Sequence, residues 1–244
     1  MNSNSETFTS TQKVLLIDIG GTNLRTATAF VGSYELLNPY KENTGSLSSL
    51  DKLLQSFLDS DPFVRHIIFS IAGPKINNSI SMTNRDFTLD ASSILQKFDI
   101  SSCHILNDWE SIGYSLSLLG GDDISQIVPG EAFNNTALII GPGTGLGAAL
   151  VVNDNIVLPT EIGNSMLSID SLMVNSTLKN STDFNVMEDL ISGRGISNIY
   201  RHFSGIDKSP ENILLTYQDD KFARKCIDQF LVSLSQVLSE LSLA

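Results

Sequence analysis

Apolar residues recur along the chain at two different spacings, and each spacing predicts a different kind of element. The segments VLLIDIGG and LRTATAF have the short apolar or alternating pattern that is typical of strands. Gly20 and Gly21 separate them, so the second strand is predicted to fold back on the first as a hairpin. The segments SLDKLLQSFLDS and ASSILQKF instead have apolar residues at helical spacing, which predicts two helices.

Strands and helices continue to alternate further along the chain. VRHIIFSIAGP and CHILND have strand patterns, and TALIIGPGTGLGAALVV repeats the order of strand, glycine turn and strand. WESIGYSLSLLGG predicts a helix with these residues on one face: Trp109, Ile112, Leu116 and Leu119. The last segment predicts an amphipathic helix with this apolar stripe: Phe222, Cys226, Phe230, Leu234, Val237, Leu238 and Leu241.

This order of elements predicts an α/β protein of two domains. Each domain is expected to contain a mixed sheet, and the two are expected to be hinged around a cleft. The predicted bounds are a disordered polar tail over 1–12, an N-terminal domain over 13–107 and a C-terminal domain over 108–244.

Composition and charge exclude several classes of partner. A net charge of −12 with only 15 Lys and Arg residues argues against nucleic acid, which basic surfaces bind. The opening MNSNSETFTSTQ lacks an apolar signal segment, and no later stretch is apolar for long enough to cross a membrane. Cys103 and Cys226 form neither a disulfide framework nor a metal pattern. We therefore expect a cytoplasmic protein with reduced thiols that acts on small ligands.

The two glycine turns, IGGTNLR and IGPGTGLG, are candidates for phosphate binding. Glycine lacks the Cβ that would keep backbone N–H groups away from a phosphate. Neither turn is a Walker A loop, because the Lys-Ser/Thr pair is missing and a strand rather than a helix follows. A single such turn is more simply an ordinary hairpin turn, but two of them favour phosphate binding.

Several motifs occur in an order that resembles one protein family: LLIDIGGTNLR, SIAGP, SMTN, ILND, GPGTGLG, LPTEIGN and EDLISGRG. Together they resemble the bacterial-type glucokinases of the sugar kinase, Hsp70 and actin superfamily, from about Val14 to the final helix. The resemblance implies a two-domain actin-like ATPase (ribonuclease H-like) fold with mixed sheets and an interdomain cleft. It also implies transfer of the ATP γ-phosphoryl group to the 6-hydroxyl of glucose with Mg²⁺, the first step of glycolysis.

The resemblance also implies roles for residues at the glycine turns. Asp18 would lie near the nucleotide phosphates and their Mg²⁺, as an indirect metal contact. Because Asp18 interrupts a predicted buried strand, the metal and nearby backbone donors are expected to supply its partners. The first phosphate turn would be formed by Gly20, Gly21, Thr22 and Asn23. The second would be formed by Gly143, Thr144 and Gly145.

The sugar side of the site follows from the same resemblance. Asp108 would accept the proton of the sugar hydroxyl, and these residues would contact the sugar with it: Asn84, Asn107, Glu161, Asn164 and Glu188. The residues alone also allow simpler structural interpretations of these positions. Asn107 and Asp108 would be a helix cap pair, Asn84 a turn residue, Glu161 a loop acid and Glu188 a residue on a solvated helix face.

Two departures from the family pattern leave alternatives open. Asn164 stands where the family has a histidine that contacts the sugar, which leaves open another hexose as the substrate. The strand, glycine-rich turn and helix that hold adenosine in the family do not follow the last helix, so the second domain is expected to be incomplete. Three accounts remain open: an incomplete chain, a site completed by a partner or a homodimer, and a kinase-derived sugar-binding or regulatory protein without turnover.

Overall fold

The computed structural model describes these residues: 11–43, 49–82, 85–131, 134–153, 155–166, 178 and 183–242. The chain divides into two compact units between Ser115 and Leu116. This division lies further along the chain than the predicted boundary at Asn107, because the helix that begins at Asp108 contacts two strands of the first unit. All of the predicted tail except Thr11 and Gln12 lies outside the described residues.

Among the described residues, the first unit contains a five-stranded sheet, a three-stranded sheet and three helices. Its strands are β1 (Lys13–Ile19), β2 (Asn23–Phe30), β3 (Leu37–Asn43), β4 (Val64–Ile71), β5 (Lys75–Ile76), β6 (Ser79–Ser81), β7 (Thr88–Asp90) and β8 (Ser102–Asn107). Its helices are α1 (Leu50–Ser60), α2 (Ala91–Lys97) and α3 (Asp108–Ser115). The five-stranded sheet has the order β3-β2-β1-β4-β8, and the three-stranded sheet has the order β5-β6-β7.

The main sheet of the first unit is mixed, as the sequence predicts. Its order is β3-β2-β1-β4-β8, with β1 and β2 as the predicted antiparallel hairpin and with β1, β4 and β8 parallel. The register pairs Asp18 with Ser70 and Ile71 with Asn107. The carboxyl ends of these parallel strands therefore meet at one edge of the sheet, and they bring Asp18 and Asn107 to that edge.

The alternating strand patterns build the core of the first unit. Leu15, Ile17 and Ile19 of β1 are buried, and they belong to one apolar cluster with Ile67, Phe69 and Ile71 of β4 and with residues of α1 and α2. The intervening residues of each strand, Asp18 of β1 among them, are more exposed, because their side chains lie on the opposite face from the buried ones.

Within the described ranges, the second unit combines a small sheet with three helices. Its elements are β9 (Thr136–Pro142), β10 (Leu146–Val152), β11 (Ile156–Thr160), α4 (Gly193–Ser204), α5 (Pro210–Leu215) and α6 (Lys221–Ser242), with short 3₁₀ helices at Leu116–Leu118, Ile162–Asn164 and Met187–Asp189. The sheet order is β11-β10-β9, and the predicted hairpin of β9 and β10 is confirmed. Helix α4 packs against α6.

Two of the predicted apolar faces differ from the structure. Helix α3 ends at Ser115, and Ile112 and Leu119 of its predicted face are 42% and 43% exposed. Glu110 and Gly113 are buried instead, because Glu110 has partners inside the unit. In α6 the buried stripe includes Cys226, Phe230 and Val237, whereas Leu238 is 43% exposed because one helical residue turns the side chain by about 100°.

The expectations about the cysteines and about membrane-spanning segments also concern features that the structure describes. Cys103 and Cys226 are free and buried. Within the described ranges, no helix combines the length and the apolar character that crossing a membrane requires.

Candidate functional site

Asp18 lies at the carboxyl end of β1 and is held by side chains of the two neighbouring strands. Arg25 Nη1 of β2 donates to Asp18 Oδ2 at 2.6 Å, and Ser70 Oγ of β4 donates to Oδ1 at 3.3 Å. The Asp18 side chain is 39% exposed. The expectation that Asp18 is buried is therefore wrong, and the strand register provides it with an arginine and a hydroxyl as partners.

The first glycine turn connects β1 to β2 and is open to solvent. Gly20 N donates to Asn23 O at 2.9 Å, while Gly21 and Thr22 are exposed. A Cβ built on Gly21 would meet no atom within 4 Å, so the protein itself does not require a glycine at this position. Arg85 Nη2 donates to Gly21 O at 2.5 Å and brings a guanidinium group to the turn. An open backbone turn beside a cation is suited to an anionic ligand.

Asn107 ends β8 and caps helix α3. Its Oδ1 accepts from Trp109 N at 2.9 Å and from Glu110 N at 3.4 Å, and its Nδ2 donates to Gly73 O at 2.8 Å. The side chain is buried, and these bonds leave the second Nδ2 hydrogen as the group that a ligand could use. The cap interpretation of this residue is therefore confirmed.

Asp108 occupies the first position of α3, at the same edge of the sheet as Asp18. Its Oδ1 accepts from Trp109 N at 3.0 Å, and no Lys, Arg or His among the described residues forms an ion pair with it. Burial raises the pKa of the Asp108 carboxyl, and the charge of Asp18 raises it further, against the lowering effect of the backbone N–H groups of Trp109 and Asp108. A carboxylate with a raised pKa and no cation partner is suited to accepting a proton.

Lys75 and Glu110 form an ion pair at the first turn of helix α3. Lys75 Nζ lies 3.1 Å from Glu110 Oε1 and 2.9 Å from Oε2, and Glu110 Oε2 also accepts from Asn107 N at 3.1 Å. Sequence reasoning missed both residues. The spacing N-x-x-E of Asn107 and Glu110 is, however, that of a capping box, and it offered a signal for Glu110.

The second glycine turn lies in the second unit, between β9 and β10. Gly143 N donates to Gly145 O at 2.8 Å, and Thr144 is exposed. Gly143 O accepts from Gly193 N at 2.8 Å, so the turn contacts the first residue of α4. The amino end of a helix carries a partial positive charge, which makes this turn, like the first, suited to an anion.

Glu188 contacts the second glycine turn where strand β10 begins. Its Oε2 accepts from Leu146 N at 2.9 Å, and its Oε1 accepts from Arg194 Nη2 at 2.8 Å. A Cβ on Gly145 would overlap the Glu188 carboxylate, so a larger residue at position 145 would require the Glu188 side chain to move. The interpretation of Glu188 as a solvated helix residue is wrong, since its side chain is only 22% exposed. Arg194, which also contacts Asp189, was not predicted to have a role.

Glu161 and Asn164 lie together after β11. Asn164 Nδ2 is 3.5 Å from Glu161 Oε2, and both residues are exposed. The short helix Ile162–Asn164 contacts β10 and the Met187–Asp189 turn. The second unit therefore brings Glu161, Asn164 and Glu188 into the region of its glycine turn, whereas the predicted residue Asn84 lies outside the described residues.

The acidic residues that the structure describes do not form a metal cage. Over the described ranges, no group of three or more His, Cys, Asp or Glu side chains is placed to hold a metal ion.

Comparison with protein families gives one match over nearly the whole chain. The family model described as Glucokinase matches residues 15–244. A "Glucokinase-like protein" of Xylella fastidiosa (strain 9a5c) is 30% identical over 198 residues, which are 75% of this chain and 59% of that protein. The chain thus spans about three fifths of the length of this curated relative.

Comparison with solved structures identifies the fold. A glucokinase from an Antarctic psychrotroph has a TM-score of 0.77 at 24% identity, over 95% of this chain and 79% of that one. A ROK family glucokinase from Streptomyces griseus, in complex with glucose and AMPPNP, has a TM-score of 0.62 at 14% identity, over 94% of this chain and 79% of that one.

Proposed function

The chain belongs to the glucokinase family and has the actin-like ATPase fold, and we propose that it transfers the ATP γ-phosphoryl group to the 6-hydroxyl of glucose. The observation that carries this proposal is the place of Asp108: its carboxylate lies at the first position of α3, at the same sheet edge as Asp18, and has no cation partner among the described residues, and burial raises its pKa. Removing the hydroxyl proton is the step in which a protein group acts directly on the acceptor of a phosphoryl transfer.

The proposal gives each unit a set of contacts. In the first unit Asp108 accepts the proton of the 6-hydroxyl and the remaining Asn107 amide hydrogen binds the sugar. Gly20 to Asn23 bind phosphate, and Asp18 contacts Mg²⁺ indirectly. In the second unit Glu161, Asn164 and Glu188 bind hydroxyl groups and Gly143 to Gly145 bind phosphate. Asn84 is proposed as a further sugar contact.

ATP and Mg²⁺ supply the transferred group and the neutralisation of its charge. The relative from Streptomyces griseus was solved with glucose and the ATP analogue AMPPNP, which supports ATP as the donor here. One partly exposed carboxylate, Asp18, beside an open glycine turn fits a Mg²⁺ ion that the phosphates carry. A cytoplasmic location is part of the proposal, and the two free cysteines suit a reducing compartment.

A coupled assay that detects glucose 6-phosphate tests the proposal. We expect product that depends on both ATP and Mg²⁺. Trp109 is the single tryptophan and directly follows Asp108, so its fluorescence can report glucose binding without turnover. A fluorescence change with glucose but no product would contradict the kinase and support the sugar-binding protein.

A kinase for a different hexose is a second candidate, and Asn164 favours it. This residue is exposed and contacts Glu161, and an amide differs from the family's histidine in reach and shape. Steady-state kinetics over glucose, mannose, fructose and N-acetylated amino sugars separates the two candidates. The glucose assignment fails if another sugar has a kcat/KM at least tenfold higher.

Gly21→Ala is predicted to separate ligand binding from stability at the first turn. The new methyl group meets no protein atom within 4 Å, so the free energy of unfolding should stay constant or rise by about 0.5 kcal/mol. A phosphate bound to this backbone would meet the methyl group, and we expect the KM for MgATP to rise about tenfold. Thermal denaturation and initial rates measure the two effects. An unchanged KM would remove this turn from the phosphate site.

A further inference from the structure

We propose that the Lys75–Glu110 ion pair is a positioning device for Asp108, which it fixes through the Asn107 cap of helix α3. The inference rests on the proposed function, because that function assigns Asp108 as the group that accepts the sugar proton. Neither residue of the pair touches the reacting atoms in this proposal. Both act through the backbone on either side of Asp108.

Asn107 and Glu110 form a reciprocal helix cap on either side of Asp108. Asn107 N donates to Glu110 Oε2 at 3.1 Å, and Glu110 N lies 3.4 Å from Asn107 Oδ1. Asp108 lies between these two residues in the chain, so both ends of the turn that carries it are tied together. The position of the Asp108 carboxylate thus depends on the position of the Glu110 carboxylate.

A second support is the burial of Glu110 and its dependence on one cation. The Glu110 side chain is 7% exposed and the Lys75 side chain 22%. Lys75 Nζ lies within 3.1 Å of both carboxylate oxygens. A carboxylate that is nearly inaccessible to water keeps its charge only while a partner compensates it. Without Lys75, the buried Glu110 carboxylate loses its cation partner, and a movement of its side chain toward solvent disturbs its bond to Asn107 N.

The segment that contains Lys75 also binds the side chain of Asn107. Gly73 O accepts from Asn107 Nδ2 at 2.8 Å, and Lys75 follows only two residues later. The segment 73–75 therefore fixes the cap residue with a carbonyl group and the cap's partner with an ammonium group. This double attachment specifies the start of α3 more tightly than a helix cap alone.

The test compares the variants Lys75→Met, Lys75→Arg and the double variant K75M/E110Q. Removing only the cation leaves a buried charge, whereas the double variant removes both charges and keeps an amide oxygen that can accept from Asn107 N. For Lys75→Met we expect kcat to fall at least about tenfold through misplacement of the base. The KM for MgATP should stay within about twofold. The kcat values of Lys75→Arg and of the double variant should each lie within about threefold of the wild-type value.

Amide hydrogen exchange provides a measurement that does not need activity. In Lys75→Met, the Asn107 and Trp109 amides should exchange at least about tenfold faster, because the cap is loosened. The double variant should return them to the wild-type rate. Lys97→Met is the matched control. It breaks the Lys97–Asp51 pair, whose side chains are 49% and 53% exposed, and should change neither measurement.

Each outcome decides for or against the pair. Unchanged exchange and kcat in Lys75→Met would overturn the inference, and so would a double variant as impaired as Lys75→Met, since that result indicates ordinary packing. If Lys75→Met does not fold, the double variant decides by the same criteria. If the wild type phosphorylates no hexose, the proposed function fails, and the exchange rates alone still decide whether the pair fixes the cap.

Discussion

Asp108→Asn is expected to lower kcat for glucose phosphorylation by about 10³-fold, within the usual range for loss of a general base. Asparagine has nearly the same shape and can still accept from Trp109 N, so the start of α3 should be preserved. It cannot take up the hydroxyl proton. We therefore expect the KM values for glucose and MgATP to change by less than about threefold, because the substitution removes an interaction of the transition state.

Steady-state kinetics with the coupled assay measures this effect, and Asp99→Asn provides the control. Asp99 is also in the first unit, its side chain is 93% exposed, and among the described residues it pairs with Arg65 at the surface. Its replacement should leave kcat unchanged. A kcat for Asp108→Asn within about tenfold of the wild type would exclude Asp108 as the base.

The raised pKa of Asp108 also predicts how rate and stability depend on pH. Burial raises this pKa in the folded protein, so the acid limb of kcat/KM should lie above the ordinary aspartate value of about 3.9. The stability that Asp108 contributes is complete below its pKa in the unfolded chain. That stability is lost as the pH rises through the higher folded-state pKa. Asp108→Asn should therefore be at least as stable as the wild type at pH 7, and denaturation at pH 4 and pH 7 measures this difference.

The hairpins and the helix start were predictable because their signals are local. Alternating residues around Gly20 and Gly21 specify two strands that fold back, and Asn107 before an apolar helix specifies a cap. The partners of Asp18 were not predictable in the same way. They depend on the register that places Arg25 and Ser70 beside it, and that register is set by packing over the whole sheet.

The roles of the charged residues behind the site come from contacts between distant parts of the chain. Glu110 and Lys75 are separated by 35 positions and Glu188 and Leu146 by 42, so no periodicity could connect them. An acidic residue in a helix is usually solvated, and only the fold shows that the side chains of Glu110 and Glu188 are shielded from solvent. Strands such as β5, with two residues, are too short for any alternation to be seen.

Gly73→Ala is expected to lower the free energy of unfolding of the first unit by about 3 kcal/mol or more, as overlap with backbone atoms combines with backbone strain. The φ angle of Gly73 is +148°, which side chains rarely adopt, and a Cβ there would overlap Ser81 O. The backbone has to move to make room. Because Gly73 O accepts from Asn107 Nδ2, this movement should also disturb the turn that carries Asp108 and lower kcat.

Guanidinium denaturation followed by Trp109 fluorescence measures the stability of the first unit, and Gly32→Ala separates the two causes. Gly32 also has a positive φ, +86°, but a Cβ on it would meet no atom within 4 Å. Its replacement should therefore cost only about 1 kcal/mol, the price of the backbone conformation, and leave kcat unchanged. Equal losses in the two variants would mean that the overlap with Ser81 contributes nothing. A destabilised Gly73→Ala protein with wild-type kcat would show that the Gly73 carbonyl does not position the cap of α3.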